Sequence, residues 1–410
     1  MCVAVLWVLC VDIHQREVTN VFTLLSRLVE ELSRLKKLCE QQSSCPDESD
    51  DRQLVALLTG VSRCAALLKE KYHEVLVTEI LNINLWHMRQ MVREATLSFL
   101  CHVVVANGAF IQSCLHVLVY WLTPPPIAPV PDPCPGESWS PQEEDVLVQD
   151  AVISATRRVL ELVPTASPRL LPILVSNMPH KMRDRGVHCL YLRGAFAVSE
   201  SQHGFGLSDG ILGPVISHLV EIDVDIRWED IVEIITEEAK EEIKGESPRK
   251  YDEPDIFDLE GMSEGEACIA ETFEPRGGWE GCCNDNVINP IPEKRESIAA
   301  AEEEERAPVN ETADKMDSLM ELTLEHLRRR ISKGELQHVW KSLLEAFEGI
   351  VLQTHRSKFT QFVIFYVASH SPVHCSKSML QLLMTKLSDR NQAPIVRSAC
   401  AAYIGSFLAR

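Results

Sequence analysis

The chain has 410 residues, 45% of them hydrophobic and 24% charged, the balance of a globular protein long enough to bury a large core. Its 40 basic and 60 acidic residues leave a net charge of −20, which disfavours strong direct binding to nucleic-acid phosphates, since that needs clustered Lys and Arg. Basic protein surfaces are the more natural partners.

In chain order, residues 1–11 form an apolar run that lacks the basic start and cleavage site of a signal peptide and is too short to span a bilayer. They read as the start of a buried helix or as an ill-defined beginning, and residues 1–50 as an N-terminal helical segment of uncertain status. Residues 18–38 carry Val21, Leu24, Leu25, Leu28, Leu32, Leu35 and Leu38 at helical spacing, and 41–51 are a polar, acidic break. From residue 51 to 232 helices are dense: one through Leu54, Leu57, Leu58, Val61, Ala65 and Leu68, then 72–81, 88–105 and 110–121. Residues 123–145 form a proline-rich, acidic loop, because successive prolines remove backbone donors and favour extended geometry. Helix resumes over 146–163. Ser167 followed by Pro168 then reads as an N-cap with proline at the first helical position. Residues 201–213 are glycine-rich and loose, with no phosphate-binding register, and 215–226 give another buried helix.

Residues 233–311 differ in kind. They hold 24 acidic and 8 basic residues, about −16 of the total charge, with little apolar surface to bury, and are expected to be a disordered loop. Its role is either solvation or an electrostatic, regulatory contact. Residues 312–410 return to helical patterning. Leu336, Val339, Trp340, Leu343, Leu344, Phe347 and Val351 make one stripe, and 359–368 are apolar nearly all round. Residues 379–387 and 394–410 follow, joined by a short polar stretch as an antiparallel pair. Helices in series, none able to bury its stripe alone, have the logic of a HEAT or armadillo-like α-solenoid, with an irregular helical domain as the plainer alternative. The expected fold is all-α: a solenoid interrupted by the long acidic loop.

No Ser-His-Asp set, Walker lysine, kinase signature or H-E-x-x-H occurs, so no enzyme is expected and no cofactor. Of the fourteen cysteines, Cys64, Cys101, Cys114, Cys189 and Cys400 fall in helical stretches as buried free thiols, and no C-x-x-C occurs. His370, His374 and Cys375 have helical ligand spacing, but Pro372 interrupts it, so no metal site is expected. His87, His102, His116 and His218 read as packing residues on helices with apolar neighbours.

Three blocks carry a family resemblance. The first is Lys358 to Tyr366 (KFTQFVIFY), followed by Ala393 to Arg397 and by Tyr403 to Arg410 (YIGSFLAR). The second is Leu162 to Pro179, and the third is Leu219 to Ile226 followed by Lys315 to Met320. In this order they resemble the RNA polymerase I-specific transcription initiation factor family, over roughly residues 50–410. The resemblance implies a protein that binds RNA polymerase I through its stalk subunits and docks it to a promoter-bound selectivity factor for ribosomal RNA synthesis, in the nucleus and nucleolus. It implies further helical repeats beyond the YIGSFLAR block, so the chain is expected to stop short of the family's length. It also implies regulation by protein kinases, and leaves a homodimer open. Ser140, before Glu143, Glu144 and Asp145, has the context an acidophilic kinase reads, and Pro141 suits a proline-directed one; Ser138 shares the loop. Ser167 falls where the family has a serine or threonine before proline. In a solenoid the polar residues between the apolar stripes are free for partners, which selects Ser98, Asn107, Gln112 and Ser113 within residues 88–121 as candidate polymerase-facing positions, and the resemblance adds that the family's polymerase-facing surface is serine-rich and loses binding when phosphorylated. No membrane contact is implied. The competing reading is a generic HEAT-like scaffold or trafficking adaptor whose apolar motifs are only core.

Overall fold

The computed structural model describes residues 18–41, 48–125, 141–204, 206–227, 311–355 and 357–409. The expectations for residues 1–11, for most of the proline-rich loop and for nearly all of the acidic segment lie outside these residues. The described residues all belong to one compact unit and contain helices and 3₁₀ turns with no strand among them.

The apolar stripes become α1 (Val18–Gln41), α2 (Glu48–Arg63), α3 (Glu70–Leu81), α4 (Gln90–Ala106), α5 (Ile111–Tyr120), α6 (Glu143–Leu162), α7 (Ser167–Ser176) and α8 (Arg185–Ser199). After them come α9 (Leu207–Gly210), α10 (Leu212–Asp225), α11 (Glu311–Ser332), α12 (Leu336–Gly349), α13 (Gln361–Ser369), α14 (Pro372–Ser388) and α15 (Pro394–Leu408). Neighbours skip a helix in the sequence where α2 packs on α4, α4 on α6, α6 on α8, α5 on α7 and α10 on α12, and α8 packs on α11 past both α9 and α10. That alternation is a two-layer α-solenoid, in which each stripe is buried by the next repeat rather than by its own.

Sharp corners between long and short helices set the layers. The chain bends by 118° between α4 and α5 and by 112° between α6 and α7. Asn107 makes the first corner: its side chain accepts the Ala109 N–H at 3.0 Å and donates to the Leu68 carbonyl at 2.8 Å. At the second corner Pro164–Ala166 form a 3₁₀ turn that runs directly into α7. Ser167 is therefore already helical, the cap position is Ala166, and the Ser167 side chain makes no capping bond, which corrects its reading as an N-cap. Between α6 and α8 the interior is closed by Gln149, wholly buried, whose amide donates to the carbonyls of Leu122 and Leu190. Gly194 leaves room for it, since a Cβ there would stand 2.9 Å from Leu122 and 3.1 Å from Gln149.

The glycine-rich stretch 201–213 is more ordered than expected. Gly206, at φ 92°, turns the chain into α9, and Leu207, Ile211 and Leu212 are buried. Helix α6 begins three residues earlier than expected, because Asp145 accepts the Gln142 N–H at 2.9 Å and the acidic first turn suits the helix dipole. Pro372 opens α14 and does not interrupt a helix. Cys64, Cys114 and Cys400 are buried thiols, and Cys101 and Cys189 are half-buried. Burial pushes Cys114 up to about 12, which makes it unreactive.

One carboxylate joins α10, before the acidic segment, to the entry of α13, after it. Asp223, at the end of α10 and fully buried, presents Oδ2 to the Ser357 hydroxyl at 2.8 Å and to the Thr360 hydroxyl at 2.9 Å. The same oxygen accepts the successive N–H groups of Lys358, Phe359 and Thr360 at 2.9, 3.0 and 3.1 Å. Lys358 Nζ returns to the Ile226 carbonyl at 2.9 Å. These are the orphan donors ahead of α13, and a remote side chain satisfies them. Asp223→Ala is expected to lower unfolding free energy by about 3–5 kcal/mol, as for one partner lost from a buried charged network. Urea melts followed by circular dichroism would measure this. A loss under about 1 kcal/mol would show that water replaces the carboxylate.

Candidate functional site

Two clefts collect polar side chains. The first, of about 310 Å³, lies between the end of α8, the turn before α9 and the end of α11, and is lined by Glu200, Ser208, Asp209, Arg330, Lys333 and Glu335 among others. Arg330, only 2% exposed, spends its guanidinium on Asp209 at 2.6 Å, Glu335 at 2.8 Å and the Ser208 carbonyl at 2.8 Å. Glu200 takes the Arg329 guanidinium at 2.9 Å and His326 Nδ1 at 2.6 Å. Burial acts to raise the Glu200 pKa, but the His326 and Arg329 contacts outweigh it and bring it down to about 2. Burial keeps His326 neutral, stacked 4.1 Å from Phe196, so its bond to Glu200 is a hydrogen bond and Arg329 supplies the ion pair. Glu200, Asp209, Arg329, Arg330 and Glu335 are committed to one another, and their contacts fix α11 against α8 and α9.

The second cleft is an open groove of about 600 Å³ across three consecutive helices of one layer, α2, α4 and α6. Ser98 and His102 lie on its α4 side, exposed at i and i+4, while Val92, Thr96, Phe99, Leu100 and Val103 of the same helix are buried. His102 Nδ1 lies 2.7 Å from the Ser98 carbonyl, 2.9 Å from Ser62 Oγ and 3.4 Å from Ser98 Oγ, which orients the ring along the groove wall.

The residues singled out from the sequence divide clearly. Ser98 is exposed in the groove. Gln112 and Ser113 are exposed on α5, with Gln112 Nε2 3.2 Å from His116 Nε2, and they are not part of the groove lining. Asn107 is half-buried and its side chain is committed to the corner between α4 and α5. Ser167 is half-buried at the start of α7. Ser138 and Ser140 lie outside the described residues. The histidines also divide: His87, His102 and His116 are exposed, which corrects their reading as packing residues, and only His218 of that set is buried. His218 stacks 5.1 Å from His188, a pair the sequence reading did not connect.

Against known proteins, residues 12–410 match the family described as RNA polymerase I specific transcription initiation factor RRN3. The chain belongs to this family. The match takes in most of the N-terminal segment of uncertain status. The mouse RNA polymerase I-specific transcription initiation factor RRN3 is 28% identical over 386 residues, which is 91% of this chain and 52% of the mouse protein. The fission-yeast protein of the same name, from Schizosaccharomyces pombe, is 22% identical over 258 residues, 62% of this chain and 39% of its own. The chain thus spans about half the length or less of these curated relatives. A crystal structure titled as RNA polymerase I transcription initiation factor Rrn3 superposes with TM-score 0.57 at 15% identity, covering 95% of this chain and 65% of that one, a likeness of fold. The RRN3 family is one of initiation factors and not of enzymes. Of the blocks that carry the resemblance, two meet at Asp223, since Leu219 to Ile226 supplies the carboxylate and Lys358 to Tyr366 supplies the donors.

The buried histidines make stability depend on pH. Burial, with the charges of His188, Lys315 and His180, lowers His218 from 6.5 to about 4. The folded state therefore holds it neutral while the unfolded chain takes up a proton below 6.5. Its contribution is complete above pH 6.5 and is lost as pH falls toward 4. His218→Phe, which also removes a buried Nε2 with no partner, is expected to flatten the fall in melting temperature between those pH values. An unchanged slope would place the proton uptake elsewhere.

Proposed function

We propose that this chain is the solenoid portion of an RNA polymerase I transcription initiation factor, acting in the nucleus and nucleolus. In this reading it binds polymerase I through the stalk subunits and bridges it to a promoter-bound selectivity factor for ribosomal RNA gene transcription. Protein kinases regulate it at Ser167 and at Ser138 and Ser140. The observation that carries the reading is the family match across residues 12–410, joined to an α-solenoid whose α4 and α5 expose Ser98, Gln112 and Ser113 on their solvent sides.

The physical logic of regulation is electrostatic. A phosphate adds nearly two negative charges and must be desolvated at a docked surface, so it weakens association unless a cation faces it. Asn107 drops out of the contact set, because its side chain already serves the corner of the chain.

Capture of purified RNA polymerase I on the immobilised chain tests this. Ser98→Asp with Ser113→Asp, or Ser167→Asp alone, is expected to weaken capture about tenfold or more while the helical circular-dichroism signal stays intact. If the unaltered chain retains no polymerase, the generic scaffold reading replaces this one. Undiminished capture by both aspartate variants would move the docking surface to other helices.

A further inference from the structure

The groove across α2, α4 and α6 has a chemical character unlike the chain as a whole. In a protein of net charge −20, no Asp or Glu lines it. Its charged members are Arg63, at the end of α2, and Arg158, in the last part of α6. Arg63 is exposed and meets no carboxylate among the described residues. Arg158 holds only Glu161, one turn along its own helix, with both side chains about half exposed, a pair that a competing carboxylate readily replaces. Between the arginines the wall is apolar: Val105 is 53% exposed and Leu162 41%. Isolated exposed apolar residues are ordinary on a soluble protein; two of them in one concave groove flanked by two available guanidinium groups form a surface for a specific kind of peptide.

We infer that this groove binds an acidic segment of the polymerase, with carboxylates on Arg63 and Arg158 and an apolar side chain seated against Val105 and Leu162. The inference rests on the function proposed above and names the partner's chemistry at the Ser98 surface. It also gives Ser98 a mechanism. A phosphate on Ser98 would stand on the wall of this same groove, where it competes for the two guanidinium groups and repels the incoming carboxylates. A neutral serine leaves both arginines available.

The test uses the full chain carrying a photoreactive phenylalanine analogue in place of Val105, irradiated with purified RNA polymerase I, and the crosslinked peptides are sequenced. The expected product joins the chain to a polymerase segment in which acidic residues flank an apolar one. Arg63→Glu with Arg158→Glu should abolish that product and reduce capture about tenfold or more, while Arg63→Lys with Arg158→Lys, which keeps the charges, should retain it. Both arginines are solvent-facing, and an unchanged melting curve confirms that the reversed variant is folded. Crosslinking to this chain's own acidic residues 228–310, crosslinking to a segment without acidic residues, or capture indifferent to charge reversal would each overturn the groove assignment while leaving polymerase binding in place. No capture by the unaltered chain would instead remove the function on which the assignment rests.

Discussion

Five donors converge on one oxygen of Asp223, and the junction between α10 and the entry of α13 depends on that convergence. Three of the donors are consecutive backbone N–H groups that no helix of their own can satisfy, and burying them without an acceptor would cost about 1–3 kcal/mol each. The acceptor comes from α10, more than 130 residues earlier in the chain. The arrangement fixes where α13 starts, and so where α14 and α15 can pack. Around it the cleft of Glu200, Arg329 and Arg330 does the same for α11 against α8 and α9. Polar networks of this kind add specificity to an apolar solenoid interface that would tolerate sliding.

The same stacking logic decides which surface is left for partners. Each long helix buries one stripe against the next repeat, and the opposite side of α4 is therefore free to carry Ser98, His102 and Val105 in the open. Because α2, α4 and α6 stack directly, their free sides form one continuous groove rather than three separate helix surfaces. The sharp corners at Asn107 and Val163 keep the short helices out of that groove. Binding chemistry and fold stability thus occupy different sides of the same helices, so a charge change at Arg63 or Ser98 does not have to disturb the core.

Most helix positions were legible because periodic stripes such as Leu54, Leu57, Leu58 and Val61 have one physical reading, although α8 (Arg185–Ser199) was not read and α14 begins at Pro372, ahead of the expected 379–387. Ser167 looked like a cap because serine before proline usually is one; the 3₁₀ turn Pro164–Ala166, which carries the helix past it, has no comparable signature. The solvent sides of α4 and α5 were readable from spacing for Ser98, Gln112 and Ser113, and the same spacing could have placed His102 beside Ser98 at i+4. Asn107 could not be placed that way, since its role depends on the Leu68 carbonyl of another helix. Asp223 gave no sign of its function. It is one of three carboxylates, with Glu221 and Asp225, that alternate with apolar residues over 219–226, and nothing in that pattern sets it apart from the other two. Its pairing with Ser357 to Thr360 is set by the stacked fold, and a single sequence does not display it. The groove likewise needs three helices to be side by side before Arg63 and Arg158 become neighbours of Ser98.

Association of the helices on the two sides of the acidic segment into one folded unit, through packing of α8 on α11 and α10 on α12 and through the Glu200, Arg330 and Asp223 networks, needs no covalent connection between them. It is tested most directly by cleaving the purified chain at an engineered protease site within residues 233–309 and measuring the mass of the product by size-exclusion chromatography with light scattering. The two fragments should remain associated at the mass of the intact chain and melt in a single transition, and the Asp223→Ala chain cut in the same way should melt at a lower temperature. Fragments that part after cleavage of the unaltered chain, or a cut Asp223→Ala chain that melts at the unaltered temperature, would overturn this.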